Sequence, residues 1–189
     1  MKNFIIEGLD RLGKDLLIEN IQHRLGYKMV CHRSKPLALE LYAHDKDNSL
    51  MTYQKECFSN DMSLLWVAEN NFSLAGIIFN RSWIGEFVYG PIYRGYSAEY
   101  IFELEHFYAL EKMRHTCLIL LTEDFSKSTH FVDDGLSFDV TKRQQEQNRF
   151  EHAFERSRIP FKRKVCVTAK NGKFRDAQEI LNEVLSVGD

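Results

Sequence analysis

Between positions 8 and 15 the chain reads Gly-Leu-Asp-Arg-Leu-Gly-Lys-Asp. Two glycines stand five apart, and a lysine directly follows the second. The apolar run Phe4-Ile5-Ile6 comes before them, and a stretch with helical apolar spacing comes after. Strand, glycine-rich turn and helix in that order form a phosphate cradle, or P-loop. Gly8 can take backbone angles that a Cβ forbids, and Gly13 lets the main chain come close to phosphate. The loop N–H groups then form an anion nest at a helix N-terminus. Lys14 supplies a point charge for a transferred phosphoryl group. Gly8, Leu9, Asp10, Arg11, Leu12, Gly13, Lys14 and Asp15 are therefore the candidate contacts to a polyphosphate donor.

Asp15 departs from the motif, which has Ser or Thr after the lysine to hold Mg2+. A carboxylate there adds a full negative charge near the donor phosphates, which repels unless a cation lies between. Three readings stand open. Asp15 ligates Mg2+ directly or through water. It turns outward as a helix N-terminal carboxylate. Or the protein binds nucleotide without efficient turnover.

These side chains need a scaffold. Short apolar runs at 2–7, 27–31, 75–79, 117–121 and 163–168 read as strands. Helical spacing falls at 15–25, 49–71, 97–112, 140–158 and 174–187, with a turn of helix at 37–42. Alternating strands and helices predict a three-layer α/β fold with a mainly parallel five-stranded sheet flanked by helices. One domain spanning 1–189 is expected, with a lid at 124–149. Ligands of such sheets bind outside the C-terminal strand ends. The glycine loop, His32-Arg33, Asn80-Arg81-Ser82 and Thr122-Glu123-Asp124 all fall there.

Composition narrows the class. A net charge of -2 over 189 residues argues against bulk binding of nucleic acid, which needs a basic face. Four cysteines without a C-x-x-C pair read as buried free thiols in a reducing cytoplasm. Glu7 and Asp10 interrupt the N-terminal apolar stretch, so it does not read as a signal peptide, and no run approaches the ~20 apolar residues of a membrane span. The expectation is a cytoplasmic protein with neither membrane nor nucleic-acid partner. The histidines show no zinc-ligand spacing.

The motifs together resemble the thymidylate kinase family, within the P-loop nucleotide and deoxynucleoside kinases. That family carries G-[LVI]-D-x-x-G-K-[ST], matched here from Gly8 to Lys14 and broken at Asp15. By resemblance, Asp10 reaches the 3′-hydroxyl of an acceptor deoxyribose. Arg11 stabilises charge between donor and acceptor phosphates, which suits a reaction that spreads charge over equatorial oxygens. Arg81 follows the run at 75–79, as an arginine does in the family, and would grip the acceptor phosphate through its fork. Asn80 stands where these families have Asp or Glu.

Phe58-Ser59 resembles the pair whose ring stacks on thymine, although Met62 stands where the family has an arginine, and core packing explains Phe58 equally well. Tyr89 has the same two readings, and Arg33 either lines the acceptor site or is a surface residue. The resemblance implies ATP and Mg2+ as cofactors and nucleotides as substrates. The implied reaction moves the ATP γ-phosphate to a deoxynucleoside monophosphate, dTMP first, for dNTP synthesis, with Arg11, Lys14 and Arg81 catalytic. A deoxynucleoside kinase and a nucleotide-binding protein without turnover are the alternatives. Helices 49–71 and 97–112 are either core elements or the surface of a homodimer.

Overall fold

The computed structural model describes residues 2–27, 29–32, 49–71, 76–128 and 140–187. Five parallel strands lie in the order β2-β3-β1-β4-β5. They are β1 (Asn3–Gly8), β2 (Met29–His32), β3 (Ile77–Asn80), β4 (Thr116–Thr122) and β5 (Phe161–Cys166). Around them are α1 (Lys14–Leu25), α2 (Ser49–Asn70), α3 (Trp83–Tyr89), α4 (Tyr100–Phe107), α5 (Arg143–Arg156) and α6 (Ala177–Leu185).

Strands β1, β3 and β4 are buried along their whole length. Their runs of Ile, Leu and Phe are apolar on both faces, as a sheet covered on both sides requires. The edges differ. β2 is half exposed, and β5 presents Lys162, Arg163 and Lys164, charges that discourage further strand pairing. Register aligns His32 with Asn80 and Asn80 with Ile6, so the ends of β2, β3 and β1 meet on one rim. Gly8, opposite Leu121, has φ 134°, and a Cβ there would run into the Leu121 carbonyl. Only glycine lets β1 turn into the loop at that point.

Strand ends shift by one to two residues from the sequence expectation, and three helical elements depart from it more. The stretch 97–112 is split: α4 ends at Phe107, Ala109 turns left-handed at φ 51°, and a 3₁₀ turn spans Leu110–Lys112. The Trp66 indole donates to the Tyr108 carbonyl, a tertiary bond made where the helix stops. Helix α3 was not expected. Ser82 caps it, its hydroxyl accepting from the Ile84 amide at 3.3 Å. Helix α6 begins at Ala177 because Asp176 caps the amides of Gln178 and Glu179 at 2.8 and 3.3 Å, leaving Phe174 outside the helix.

The turn expected at 37–42, Arg33, and residues 129–139 of the loop expected at 124–139 lie outside the described residues. Further along the expected lid, α5 is docked on the sheet. Gln147 accepts from the Glu123 amide at 2.8 Å and donates to its carbonyl at 3.0 Å.

Candidate active site

A cleft of about 580 Å³ opens at the C-terminal rim of β1 and β3. Asp10, Arg11, Gly13, Lys14, Asp15, His32, Asn80 and Arg81 line it, with Leu16 and Phe174. Residues from the ends of β2 and β3 and from the glycine loop after β1 thus converge on one space. Gly13 takes φ 77° ahead of α1, and Arg11 and Arg81 are non-glycine residues at φ 65° and 67°. Left-handed backbone at side-chain-bearing residues is costly and clusters where geometry serves a ligand.

Lys14 is 7% exposed, and its ammonium donates to the carbonyls of Gly8 at 2.9 Å and Leu9 at 2.5 Å. Burial pulls its pKa down to about 8; neighbouring Arg81 pulls the same way, against Asp10, Glu7 and Asp15. A buried ammonium whose hydrogen bonds among the described residues go to neutral carbonyls gains from an arriving anion. Arg81 is ion-paired with Asp10 across the cleft wall, each about one-third exposed. The Arg81 amide is fixed to the Ile6 carbonyl at 3.0 Å.

The Asn80 amide nitrogen lies 2.6 Å from Asp15 Oδ1 and 3.0 Å from His32 Nδ1. Asp15 has no room for the amide in the opposite sense, since two oxygens would then face each other. Asn80 Oδ1 is consequently buried with no hydrogen-bond partner among the described residues.

Behind the rim, Glu7 is 1% exposed. Its Oε1 accepts from the Ser82 amide at 2.6 Å, the Ser82 hydroxyl at 2.7 Å and the Gly85 amide at 3.3 Å. Burial pushes its carboxyl up to about 7, opposed by the Ser82 donors and by the charges of Lys14 on α1 and Arg81 at the β3–α3 corner. The sign follows from linkage. An acid with a raised folded-state pKa adds stability that is complete below its ordinary value and lost as pH rises through 7. Denaturant unfolding of the free protein between pH 4.5 and 8 is expected to show up to about 3 kcal/mol of falling stability from this group. Glu7→Gln flattens that slope.

Other expected residues fall elsewhere. Phe58 is 3% exposed and packs in the core, so it does not present an open stacking face to the cleft. Tyr89 is mostly buried, edge-on to the Phe150 ring at 5.8 Å, and burial raises its pKa strongly, keeping the phenol protonated. Arg81 and Asp10 both act on that phenol, which places it close behind the cleft wall.

Two features were missed. Phe174 and Arg175 close a second, apolar cavity of about 230 Å³ with Leu12, Leu16, Leu17, Leu121 and Ile180. It shares Gly13, Leu16 and Phe174 with the larger cleft. Arg143, at the start of α5, is buried against Glu123 with its Nε at 3.1 Å, and donates to the Asp10 carbonyl at 3.2 Å. Both partnerships are tertiary and left no local pattern to read.

No protein-family model matches the chain, and neither does any curated protein. Solved structures do match in fold. Thymidylate kinase from Ehrlichia chaffeensis aligns with TM-score 0.60 at 12% identity, over 97% of this chain and 96% of the other. Thymidylate kinase from Candida albicans aligns with TM-score 0.55 at 18% identity, over 97% and 89%. Deoxyadenosine kinase from M. mycoides, solved with products dCMP and dCDP, aligns with TM-score 0.55 at 15% identity, over 98% and 97%. The chain therefore has the P-loop kinase fold, along nearly its full length.

Proposed function

We propose that the protein is a nucleoside monophosphate kinase that moves the γ-phosphate of ATP to a deoxynucleoside monophosphate, with dTMP the first candidate. The observation that carries this reading is the convergence of Lys14, Arg11 and Arg81 on one cleft beside the Asp10 carboxylate. Three cations suit two sets of phosphates, and a carboxylate inside the loop suits a sugar hydroxyl. The solved kinases of the same fold add support.

On this reading the two cavities divide the work. The apolar one beside Phe174 takes the adenine, and the polar one takes the phosphates and the acceptor. Lys14 releases the Gly8 and Leu9 carbonyls and turns to the donor phosphates. Arg81 exchanges Asp10 for the acceptor phosphate, and Asp10 is then free for the 3′-hydroxyl. Arg11 offsets charge on the transferring group. An acceptor phosphate is already ionised at neutral pH, so it requires no general base. That fits a cleft whose two carboxylates, Asp10 and Asp15, are both engaged by neighbours.

The donor set also fits a hard divalent cation: the Asp15 carboxylate and the Asn80 carbonyl oxygen, which has no hydrogen-bond partner among the described residues, are oxygen ligands of the kind Mg2+ prefers. Bound there, Mg2+ would neutralise charge on the donor phosphates.

ADP release, measured with ATP, Mg2+ and each of dTMP, dGMP, thymidine and deoxycytidine, tests the reading. Release that needs a monophosphate supports it, and release with a nucleoside but with no monophosphate overturns it. Phe174→Ala tests the donor side. It is expected to weaken ATP roughly tenfold, in line with the loss of one stacked aromatic. Calorimetric titration should find inorganic triphosphate, which has no base, bound as before.

A further inference from the structure

We propose that Glu7 is the positioning residue for Arg81: its carboxylate fixes the corner where β3 turns into α3, and so aims the guanidinium across the cleft. The proposal rests on the phosphate-binding role given to Arg81 above.

Strand β1 holds the corner at two successive residues. Strand β1 supplies the Ile6 carbonyl to the Arg81 amide at 3.0 Å. The next residue of the same strand, Glu7, takes both donors of Ser82 on a single oxygen, with the Gly85 amide as a third. Arg81 sits between these two clamps at φ 67°, a conformation a free arginine would leave. Two successive residues of β1 therefore impose the left-handed turn that sends the side chain of Arg81 toward Asp10.

Capping alone does not account for a carboxylate. Among the described residues, Glu7 Oε2 is buried without a hydrogen-bond partner, so only one oxygen of the carboxylate is engaged there. A buried acid in that state is expensive. Burial lifts its pKa to about 7, yet Lys14 and Arg81 both act to keep it ionised. When ionised, Glu7 therefore places its negative charge behind Arg81, on the side away from the cleft, whereas Asp10 pairs with the guanidinium from the cleft side.

The test has two arms. In the free protein with 15N-labelled arginine, the Arg81 guanidinium signal is expected to show restricted rotation, and Glu7→Gln to speed that rotation tenfold or more. The Arg143 signal, held by Glu123, is the internal control and does not change. In steady-state kinetics, Glu7→Gln raises the KM for dTMP about tenfold and leaves the KM for ATP unchanged. In an Arg81→Ala background it adds nothing further. Ser82→Ala, which removes one of the three donors, repeats the effect more weakly and guards against a misfolded first variant.

An Arg81 signal indifferent to Glu7→Gln, or losses that add in full to those of Arg81→Ala, overturns the proposal. If wild-type protein transfers no phosphate to dTMP while the Arg81 signal still responds, the substrate reading falls and the role of Glu7 stands.

Discussion

Lys14→Met is expected to lower phosphoryl transfer by roughly 10²–10³-fold, the usual loss when one preorganised charge is removed from a transition state. Its second expected result is that the free protein does not lose stability. Lys14 is 7% exposed, and among the described residues its ammonium is held only by two loop carbonyls. Burial already pulls its pKa down to about 8, so folding works against the charged form at neutral pH. Methionine keeps an unbranched apolar stem and removes that cost. Thermal unfolding without nucleotide should give an equal or higher Tm, whereas the stabilisation normally added by ATP should shrink. A residue that lowers activity and not stability when replaced is one the fold keeps for its ligand.

The second large effect is expected at the Asp15–Asn80 pair. The two side chains share one negative charge and one hydrogen bond of 2.6 Å. Asp15→Asn removes the charge and is expected to weaken Mn2+ binding to the ADP complex roughly 10- to 100-fold, as read by electron paramagnetic resonance. Asn80→Asp brings two carboxylates together, so one is driven to hold a proton and the free protein loses stability as pH rises. The exchange Asp15→Asn with Asn80→Asp restores one charge and one bond, with the order reversed. Recovery of Mn2+ affinity to within a fewfold of wild type is the expected result. If the double variant is as weak as Asp15→Asn alone, the pair does not act as a unit in holding the cation.

What the sequence made visible was local. The glycine loop carries its own spacing, and the apolar run ahead of Asn80-Arg81 marks a buried strand whose end must lie on the ligand rim. A parallel sheet follows from alternating elements, and all five described strands are parallel.

What it hid was tertiary. Asn80 read as the loss of an acid, whereas its amide is the hydrogen-bond partner of Asp15. Phe174 looked like the start of a helix, but the Asp176 cap excludes it and Arg175 is tied to the Val167 carbonyl, so the ring falls at the cleft. Phe58 offered two readings of one helical position, and at 3% exposure it lies within the core here. The helix at 83–89 carried a serine cap as its signal, obscured by Gly85 and by residues that equally favour strands.

The central claim is that one cleft brings the γ-phosphate of ATP to the phosphate of a nucleoside monophosphate. It is tested most directly by 31P NMR of the purified protein with ATP, Mg2+ and dTMP, each phosphorus being followed by its own resonance. The expected result is loss of the ATP γ signal matched by growth of the β signal of dTDP, with little inorganic phosphate. ATP left intact in the presence of bound dTMP, or cleaved to ADP and inorganic phosphate while dTMP is unchanged, would contradict it.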